Sequence, residues 1–184
     1  NAIVCAFVDL KHEVGDEAAA AFACRFVEHT DASVRRSAVV VLCANRIPVA
    51  VAALLPRTRD TDADVRTWAC FGLGTQLWRP RAVEAIDTLE IRETLAARLD
   101  DSFVDAREEA ATGLARRGDE RGLAAVVDAL RRFEADGVSN CVLHAVEEAP
   151  RSRFVAPLEL ILDALPDCAE ARRALDACRA ATAR

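Results

Sequence analysis

Apolar and small residues recur at helical spacing in the segment that follows the aspartate-rich turn at residues 60–64. On a helical wheel of about 100° per residue, residues 63–75 place four of them on one face, which is the i, i+4, i+7, i+8 stripe of a packed helix. These four are Val65, Ala69, Gly72 and Leu73. No segment of the chain sustains a period of two, so we predict no strands. The pattern predicts an all-α chain.

The same pattern recurs along the chain with Arg66 as its anchor. Arg35 and Arg107 occupy the equivalent position, and two weaker copies place Ser139 and Arg172 there. The steps between anchors are 31, 41, 32 and 33 residues, which is too long for one helix and suits a pair of helices. Each second helix begins at the turn. The first helices are predicted over residues 16–28, 47–57, 88–99, 121–133 and 155–165, and residues 1–10 resemble the tail of a sixth copy.

Polar residues at the predicted helix starts support these boundaries. Asp31 and Asp62 are suited to cap the second helices, because their carboxylates can accept hydrogen bonds from unpaired N–H groups. Asp87 with Glu90 is similar to a capping box. Pro48 suits the first position of a helix.

The motif D-x-D-x-x-V-R-x-x-A-x-x-x-L resembles the HEAT repeat, in the short bacterial form also found in phycobilisome lyases. The segments VRTWACFGLGTQL and REEAATGLARRGDERGLAAVVDAL carry it most clearly. The resemblance implies a right-handed α-solenoid, an armadillo-like superhelix of about five HEAT-like helix pairs, in a single repeat domain over residues 1–184. The chain contains no Met, so we expect it to be part of a longer chain or to lack its native start.

The repeated arginines resemble those of the Asp–Arg ladder of this family. Arg35, Arg66 and Arg107 lie at the edge of the apolar stripe, where each can reach an aspartate in its own or a neighbouring turn. We therefore expect a structural role, with a cost on the order of 1–2 kcal/mol for Arg66→Ala. A row of guanidinium groups that binds an anionic ligand is the alternative.

In the HEAT family the second helices line the concave surface, so their outward columns are the candidate binding face. Trp68 lies at the edge of this face and is expected to be half buried, and packing between repeats is the alternative role. Phe71 lies nearly opposite the apolar stripe and is expected to be solvated. The candidate binding residues are Arg36, Thr67, Trp68, Phe71, Glu108, Thr112, Asn140 and His144. The longest step carries an insertion near residues 77–85, which is either functional or a tolerated surface loop.

Composition narrows the range of partners. The net charge is −6 and the pI about 5.2, whereas a nucleic-acid-binding module normally has a basic surface. No run of eighteen or more apolar residues predicts a membrane span. Seven cysteines without a C-x-x-C motif are read as small hydrophobic residues in a reducing cytoplasm. All but one of the basic residues are arginine, which is typical of a high-GC bacterial source.

Catalytic chemistry has little support in the sequence. HEAT-like hydroxylases of the deoxyhypusine type hold iron with several His-Glu pairs, but His12-Glu13 is the one such pair here. The carboxylate pairs Glu108-Glu109 and Glu147-Glu148 point about 100° apart on a helix and are read as solvated faces. We predict no catalytic residues, no metal and no cofactor.

Two classes of function remain open. The first is a non-catalytic HEAT-repeat scaffold that binds a protein or peptide through its concave face. The alternative is a HEAT-like lyase of the phycobilisome-lyase type or a HEAT-like DNA glycosylase, and the acidic charge disfavours the glycosylase. A broad shallow groove would favour binding, whereas a deep pocket with converging titratable groups would favour an enzyme.

Overall fold

The structure, a computed structural model, describes residues 16–45, 47–78, 86–133 and 139–183. These ranges contain ten α-helices and no strand. The helices are α1 (Asp16–Cys24), α2 (Ala32–Cys43), α3 (Pro48–Arg57), α4 (Ala63–Phe71), α5 (Leu89–Ala96), α6 (Val104–Arg116), α7 (Glu120–Arg131), α8 (Asn140–Glu148), α9 (Val155–Ala164) and α10 (Ala169–Thr182). A π-helical turn, Gly72–Gln76, extends α4, and a 3-10 turn, Ser152–Phe154, precedes α9. None of the described helices combines the length and apolar character needed to cross a membrane.

The ten helices form the five predicted pairs of an α-solenoid. The even-numbered helices are the second helices of the pairs, and each packs against the next from α2 to α10. The predicted first helices are confirmed, with boundaries that differ by at most four residues. The partial sixth copy at residues 1–10 and the pair His12-Glu13 lie outside the described residues.

Helix α6 joins two clusters of the hydrophobic core. Ala110 and Leu114 belong to the cluster formed with α1 to α5, and Ala111 and Ala115 belong to the cluster formed with α7 to α10. Because both sides of one helix are buried in this way, the two clusters form a continuous array. Each helix pair buries its apolar side against its neighbours, as expected for a solenoid.

The predicted caps of the second helices are confirmed. The Asp31 carboxylate accepts a hydrogen bond of 2.8 Å from the Ser33 N–H, and the Asp62 carboxylate accepts one of 3.0 Å from the Val65 N–H. Pro48 occupies the first turn of α3, as predicted. These caps satisfy backbone donors that a helix start leaves unpaired.

The predicted capping role of Asp87 is wrong. Thr88 is the N-cap of α5, and its hydroxyl accepts from the Ile91 N–H at 3.2 Å. The Asp87 carboxylate instead accepts from Nε of Arg92 at 2.9 Å and lies 3.3 Å from Nε of Arg117. Two cationic partners therefore hold this carboxylate away from the helix start.

The Asp–Arg ladder links consecutive turns of the array. Arg35 donates through Nε and Nη2 to the carboxylate of Asp60 in the next turn, at 2.9 and 2.6 Å. Arg66 repeats this bidentate pair with Asp101, at 2.9 and 2.8 Å. The remaining nitrogen, Nη1, donates to carbonyls of the arginine's own turn, such as His29 O at 2.9 Å and Asp60 O at 3.0 Å. Each arginine therefore fixes its own turn and ties it to the next.

The ladder pairs are almost completely removed from water. The carboxylates of Asp60 and Asp101 are only 3% exposed. The Arg66 guanidinium beside Asp101 holds the pKa of that carboxyl below its ordinary value of 3.8, in opposition to the effect of burial. Nη1 of Arg107 donates to Asp101 O at 2.6 Å, while residues 134–138, which follow α7 in the sequence, lie outside the described residues. An aspartate partner for Arg107 stays a prediction.

Helices α4 and α6 approach until their backbones touch. A Cβ atom on Gly113 would lie 2.5 Å from Gly74 Cα, and a Cβ atom on Gly74 would lie 3.0 Å from Glu109 O. The buried guanidinium of Arg117 closes this junction by donating to the carbonyls of Leu73, Gly74 and Gly113, at 2.7, 2.9 and 2.8 Å. Burial lowers the pKa of Arg117 to about 10, so this guanidinium stays charged at neutral pH.

We expect Gly113→Ala to destabilise the chain. Alanine is the better helix former by about 1 kcal/mol, but its methyl group would collide with the backbone of Gly74. Such overpacking costs about 1–3 kcal/mol, so the melting temperature should fall. Ala124→Val, at an exposed position of α7, is the control and should change it little. A melting temperature that stays the same or rises in Gly113→Ala would contradict the close approach.

Arg66→Ala should cost about 3 kcal/mol, more than the sequence suggests, because it removes the bidentate partner of the buried Asp101 and leaves the longer contact to Arg98, at 3.5 Å. The folded pKa of Asp101 is lowered, so its contribution is present above the unfolded pKa and is lost as the pH falls through the folded pKa. The stability difference between wild type and variant should therefore shrink below pH 3.8. Urea denaturation of the wild type and the variant at several pH values above and below 3.8 measures this difference.

Arg59→Ala is the control for the ladder variant, because Arg59 is exposed beside the same turn. Its urea midpoint should stay close to that of the wild type. An unchanged midpoint for Arg66→Ala would contradict a structural ladder, and loss of ligand binding in the same variant would assign the arginine to a binding site.

Candidate functional site

Three rows of side chains on consecutive second helices form the surface that we call the second-helix face. The rows lie two, five and nine residues after the anchors Arg66, Arg107 and Ser139. On α4 and its π-helical turn they are Trp68, Phe71 and Thr75; on α6 they are Glu109, Thr112 and Arg116; on α8 they are Cys141, His144 and Glu148. Because α4, α6 and α8 pack side by side, equivalent positions become neighbours.

An aromatic pair occupies the α4 end of this face. The rings of Trp68 and Phe71 meet edge to face, with centroids 5.5 Å apart and planes at 90°. Trp68 is 37% exposed, and Phe71 is half buried. The expected solvation of Phe71 is therefore wrong, because its ring packs on the indole. This packing orients Trp68 and leaves it as the exposed member of the pair.

Thr112 does not belong to the exposed surface. Its side chain is fully buried, and its hydroxyl donates to Glu109 O at 3.2 Å. Because Gly74 and Gly113 are in backbone contact, α4 packs closely on this part of α6 and covers the Thr112 side chain. The equivalent residue on α8, His144, has a side chain that is 63% exposed, as the candidate binding role requires.

A chain of polar contacts crosses the face through three repeats. The Arg116 guanidinium donates through Nη1 to the Thr75 hydroxyl at 3.1 Å and through Nε to Glu148 Oε2 at 2.7 Å. His144 Nδ1 lies 3.6 Å from the same oxygen. The Arg116 side chain is only 2% exposed. Arg116 was not among the residues predicted from the sequence. Its place nine residues after Arg107, equivalent to Thr75 and Glu148, was a usable signal.

Glu109 is a desolvated carboxylate in the middle of the face. Burial raises its pKa to about 7, and the nearby charge of Arg116 opposes this shift. Its Oε2 accepts from the Thr75 hydroxyl at 3.4 Å. The interpretation of Glu108-Glu109 as a solvated pair is wrong for Glu109, which is half buried and has a raised pKa.

The other candidate binding residues lie on the same layer of helices. Arg36 on α2 pairs with Asp64 through Nη1 at 2.7 Å. Thr67 is half buried and donates to its own helix at Ala63 O, 3.0 Å away. Glu108 is half buried and Asn140 is exposed. The Cys141 thiol donates to Glu108 Oε2 at 3.7 Å.

Two shallow polar clefts lie beside the ladder turns, away from the second-helix face. The larger, of about 510 Å³, is lined by Arg59, Asp60, Arg66, Ala97, Arg98, Asp100, Asp101 and Ser102. The smaller, of about 380 Å³, lies between the turns that begin α2 and α4. Three arginines and three aspartates line the larger cleft, so their charges balance. Because the charges balance, the cleft does not attract an anionic ligand, which disfavours an anion-binding role for the ladder arginines.

The six cysteines of the described ranges are free thiols. Burial raises the pKa of Cys43, Cys70 and Cys141 to about 12, which keeps these thiols protonated at neutral pH. Within the described part of the chain, no group of three His, Cys, Asp or Glu side chains has a geometry that could hold a metal ion.

Glu109→Gln should change how stability depends on pH. The folded pKa of about 7 lies above the ordinary 4.5, so between these values the folded state retains a proton that the unfolded state releases. Wild-type stability therefore loses about 3 kcal/mol as the pH rises through this window. The glutamine variant lacks this loss, so urea denaturation should show it gaining on the wild type as the pH rises from 4.5 to about 7, with a constant difference above that. Glu90→Gln, at an exposed position of α5, should give a profile parallel to the wild type, and a parallel profile for Glu109→Gln would contradict the desolvation.

Comparison with known proteins supports the architecture. The family model described as HEAT repeats matches residues 51–145, which is more than half of the chain. Among solved structures, YibA from Escherichia coli superposes with a TM-score of 0.67 at 22% identity, over 87% of this chain and 54% of that chain. An engineered protein superposes with a TM-score of 0.58 at 19% identity, over 96% of this chain and 84% of that chain.

These structural similarities show the fold alone, and no curated protein matches the chain. The chain spans about half the length of YibA. The repeat match, the five described helix pairs and the bidentate Asp–Arg pairs agree with one another. The chain belongs to the HEAT-repeat family.

Proposed function

We propose that the chain is a non-catalytic scaffold that binds a segment of a partner protein on the second-helix face. The observation that carries this proposal is the exposed indole of Trp68, held edge to face by Phe71 at 5.5 Å. Exposed aromatic anchors with a fixed orientation dominate the binding energy of many interfaces. Phe71 reduces the rotamer freedom that Trp68 would otherwise lose on binding, which favours affinity.

The packing of the helices supports a groove at this place. The second helices contact one another in an unbroken series, whereas the first helices touch their counterparts in neighbouring pairs less extensively. Helices on the inside of a curved solenoid lie closer together than those on the outside. This difference supports a concave second-helix face, a shape that suits an extended segment.

The buried hydrogen bonds beneath the face support a rigid surface. Arg116 ties Thr75 on the α4 side to Glu148 on α8, so the three repeats present their side chains in a set arrangement. Side chains that are already held in place lose little conformational entropy when a partner binds. The lyase and glycosylase alternatives gain no specific support, because Cys141 is held protonated and Arg36 and Arg116 are paired with carboxylates.

The double variant Trp68→Ser with Glu108→Arg should lose partner capture. It removes the exposed aromatic anchor and reverses one charge on the neighbouring row, while both residues lie at the surface rather than in the core. Truncation of an anchor of this kind costs about 2 kcal/mol or more in binding. Quantitative pull-down from the native cell extract, with melting curves in parallel, measures the two effects separately.

Leu89→Ser with Glu90→Arg is the matched control. Leu89 is 74% exposed on α5, away from the second-helix face, so the control also removes an exposed apolar side chain and reverses one charge. It should retain the partners that the wild type captures. Equal capture by the face variant and the control would place the binding surface elsewhere, with the insertion near residues 77–85 as the next candidate.

A further inference from the structure

We propose that the captured segment is basic, and that an arginine of this segment stacks on Trp68 while the carboxylates of α6 neutralise its charge. The inference rests on the proposed function and adds the chemistry of the partner to it.

Carboxylates outnumber cations on the outward side of α2, α4, α6, α8 and α10, and the arginines present are occupied. Arg36 pairs with Asp64 at 2.7 Å, and Arg116 pairs with Glu148 at 2.7 Å. Arg173 lies 3.5 Å from Glu147. The cations of the face therefore compensate the carboxylates of α4 and α8.

The carboxylates of α6 form no ion pair with a described arginine or histidine. Asp105 lies one turn before the adjacent residues Glu108 and Glu109, and the charge of Arg116 lies near Glu109. Glu108 accepts from the Cys141 thiol at 3.7 Å, and Glu109 accepts from the Thr75 hydroxyl at 3.4 Å. Both donors are neutral, so Asp105 and Glu108 give α6 an excess of negative charge, to which Glu109, with a pKa of about 7, adds in part at neutral pH.

The aromatic pair lies on the helix that packs directly against α6. Trp68 and Glu109 hold equivalent positions on α4 and α6, and the two helices touch through Gly74 and Gly113. Packed helices have axes about 8–10 Å apart, and a cation bound to an indole lies about 6 Å or less from the ring centre. A guanidinium over Trp68 can therefore also meet a carboxylate of the neighbouring helix.

Arginine suits both halves of this arrangement. Its planar guanidinium stacks on aromatic rings and presents several N–H donors that match a carboxylate. A cation also offsets the desolvation of the Glu109 carboxylate, which has a raised pKa in the free chain. The net charge of −6 favours the approach of a basic segment and disfavours that of an acidic one or of nucleic acid.

Synthetic peptides test this inference directly. The probe is a labelled octapeptide of alternating arginine and serine, and its control carries citrulline, which keeps the shape of arginine without the charge. The indole N–H resonance of Trp68, assigned by comparison with Trp68→Phe, reports binding at the aromatic pair. Fluorescence anisotropy gives the Kd.

We expect the arginine peptide to shift the Trp68 resonance and to bind at least about tenfold more tightly than the citrulline peptide. Glu108→Gln with Glu109→Gln should weaken the arginine peptide about tenfold, and so should Trp68→Ala. Glu17→Gln with Glu90→Gln, which changes the net charge equally at exposed sites on α1 and α5, should leave the Kd unchanged. Melting curves verify that each variant is folded.

Equal binding of the two peptides, or an arginine peptide that leaves the Trp68 resonance unmoved, would overturn the inference. Equal weakening by the α6 pair and by the α1 and α5 pair would also overturn it, since it would indicate general electrostatic attraction. The proposed function survives each of these results if the variant Trp68→Ser with Glu108→Arg still loses its cellular partners. The proposed function and the inference both fail if the variant Trp68→Ser with Glu108→Arg captures the cellular partners as the wild type does.

Discussion

The bidentate pairs Arg35–Asp60 and Arg66–Asp101 are the interaction on which the rest of the structure depends. Each pair joins the start of one second helix to the turn of the next repeat, with both carboxylates almost completely removed from water. A buried ion pair pays a large desolvation cost, so its value lies more in specifying one arrangement than in added stability. Here that arrangement is the offset between successive helix pairs, which decides which side chains become neighbours.

This offset explains the second-helix face. Because equivalent positions align, a Thr on one repeat meets an Arg on the next and a Glu on the third, and they form a connected chain. The same alignment places the carboxylates of α6 on the helix next to the aromatic pair of α4. The close contact of Gly74 with Gly113, sealed by the buried Arg117, brings these two rows together. A structural ladder at the turns thus produces a chemically distinct surface along the helices.

Features that repeat along the chain could be predicted from the sequence, because each copy confirms the others. The helix pairs, the caps Asp31 and Asp62, and the Asp partners of Arg35 and Arg66 are of this kind. Features that depend on how closely helices of neighbouring repeats approach each other could not be predicted. A helical wheel treats each helix alone, so it placed Thr112 at the surface, whereas the approach of α4 buries it. The displacement of Asp87 from its capping role likewise depends on where Arg92 and Arg117 lie after folding.

The central claim is that the second-helix face, rather than the turns or the insertion near residues 77–85, is where the chain meets its partner. Backbone amide NMR of the chain with a partner segment isolated from the native extract tests this claim most directly. The account predicts chemical-shift changes concentrated on α4, α6 and α8, with α5 and α7 unchanged. Changes concentrated on the first helices, on the ladder turns or at the insertion, with the second-helix face unchanged, would contradict it.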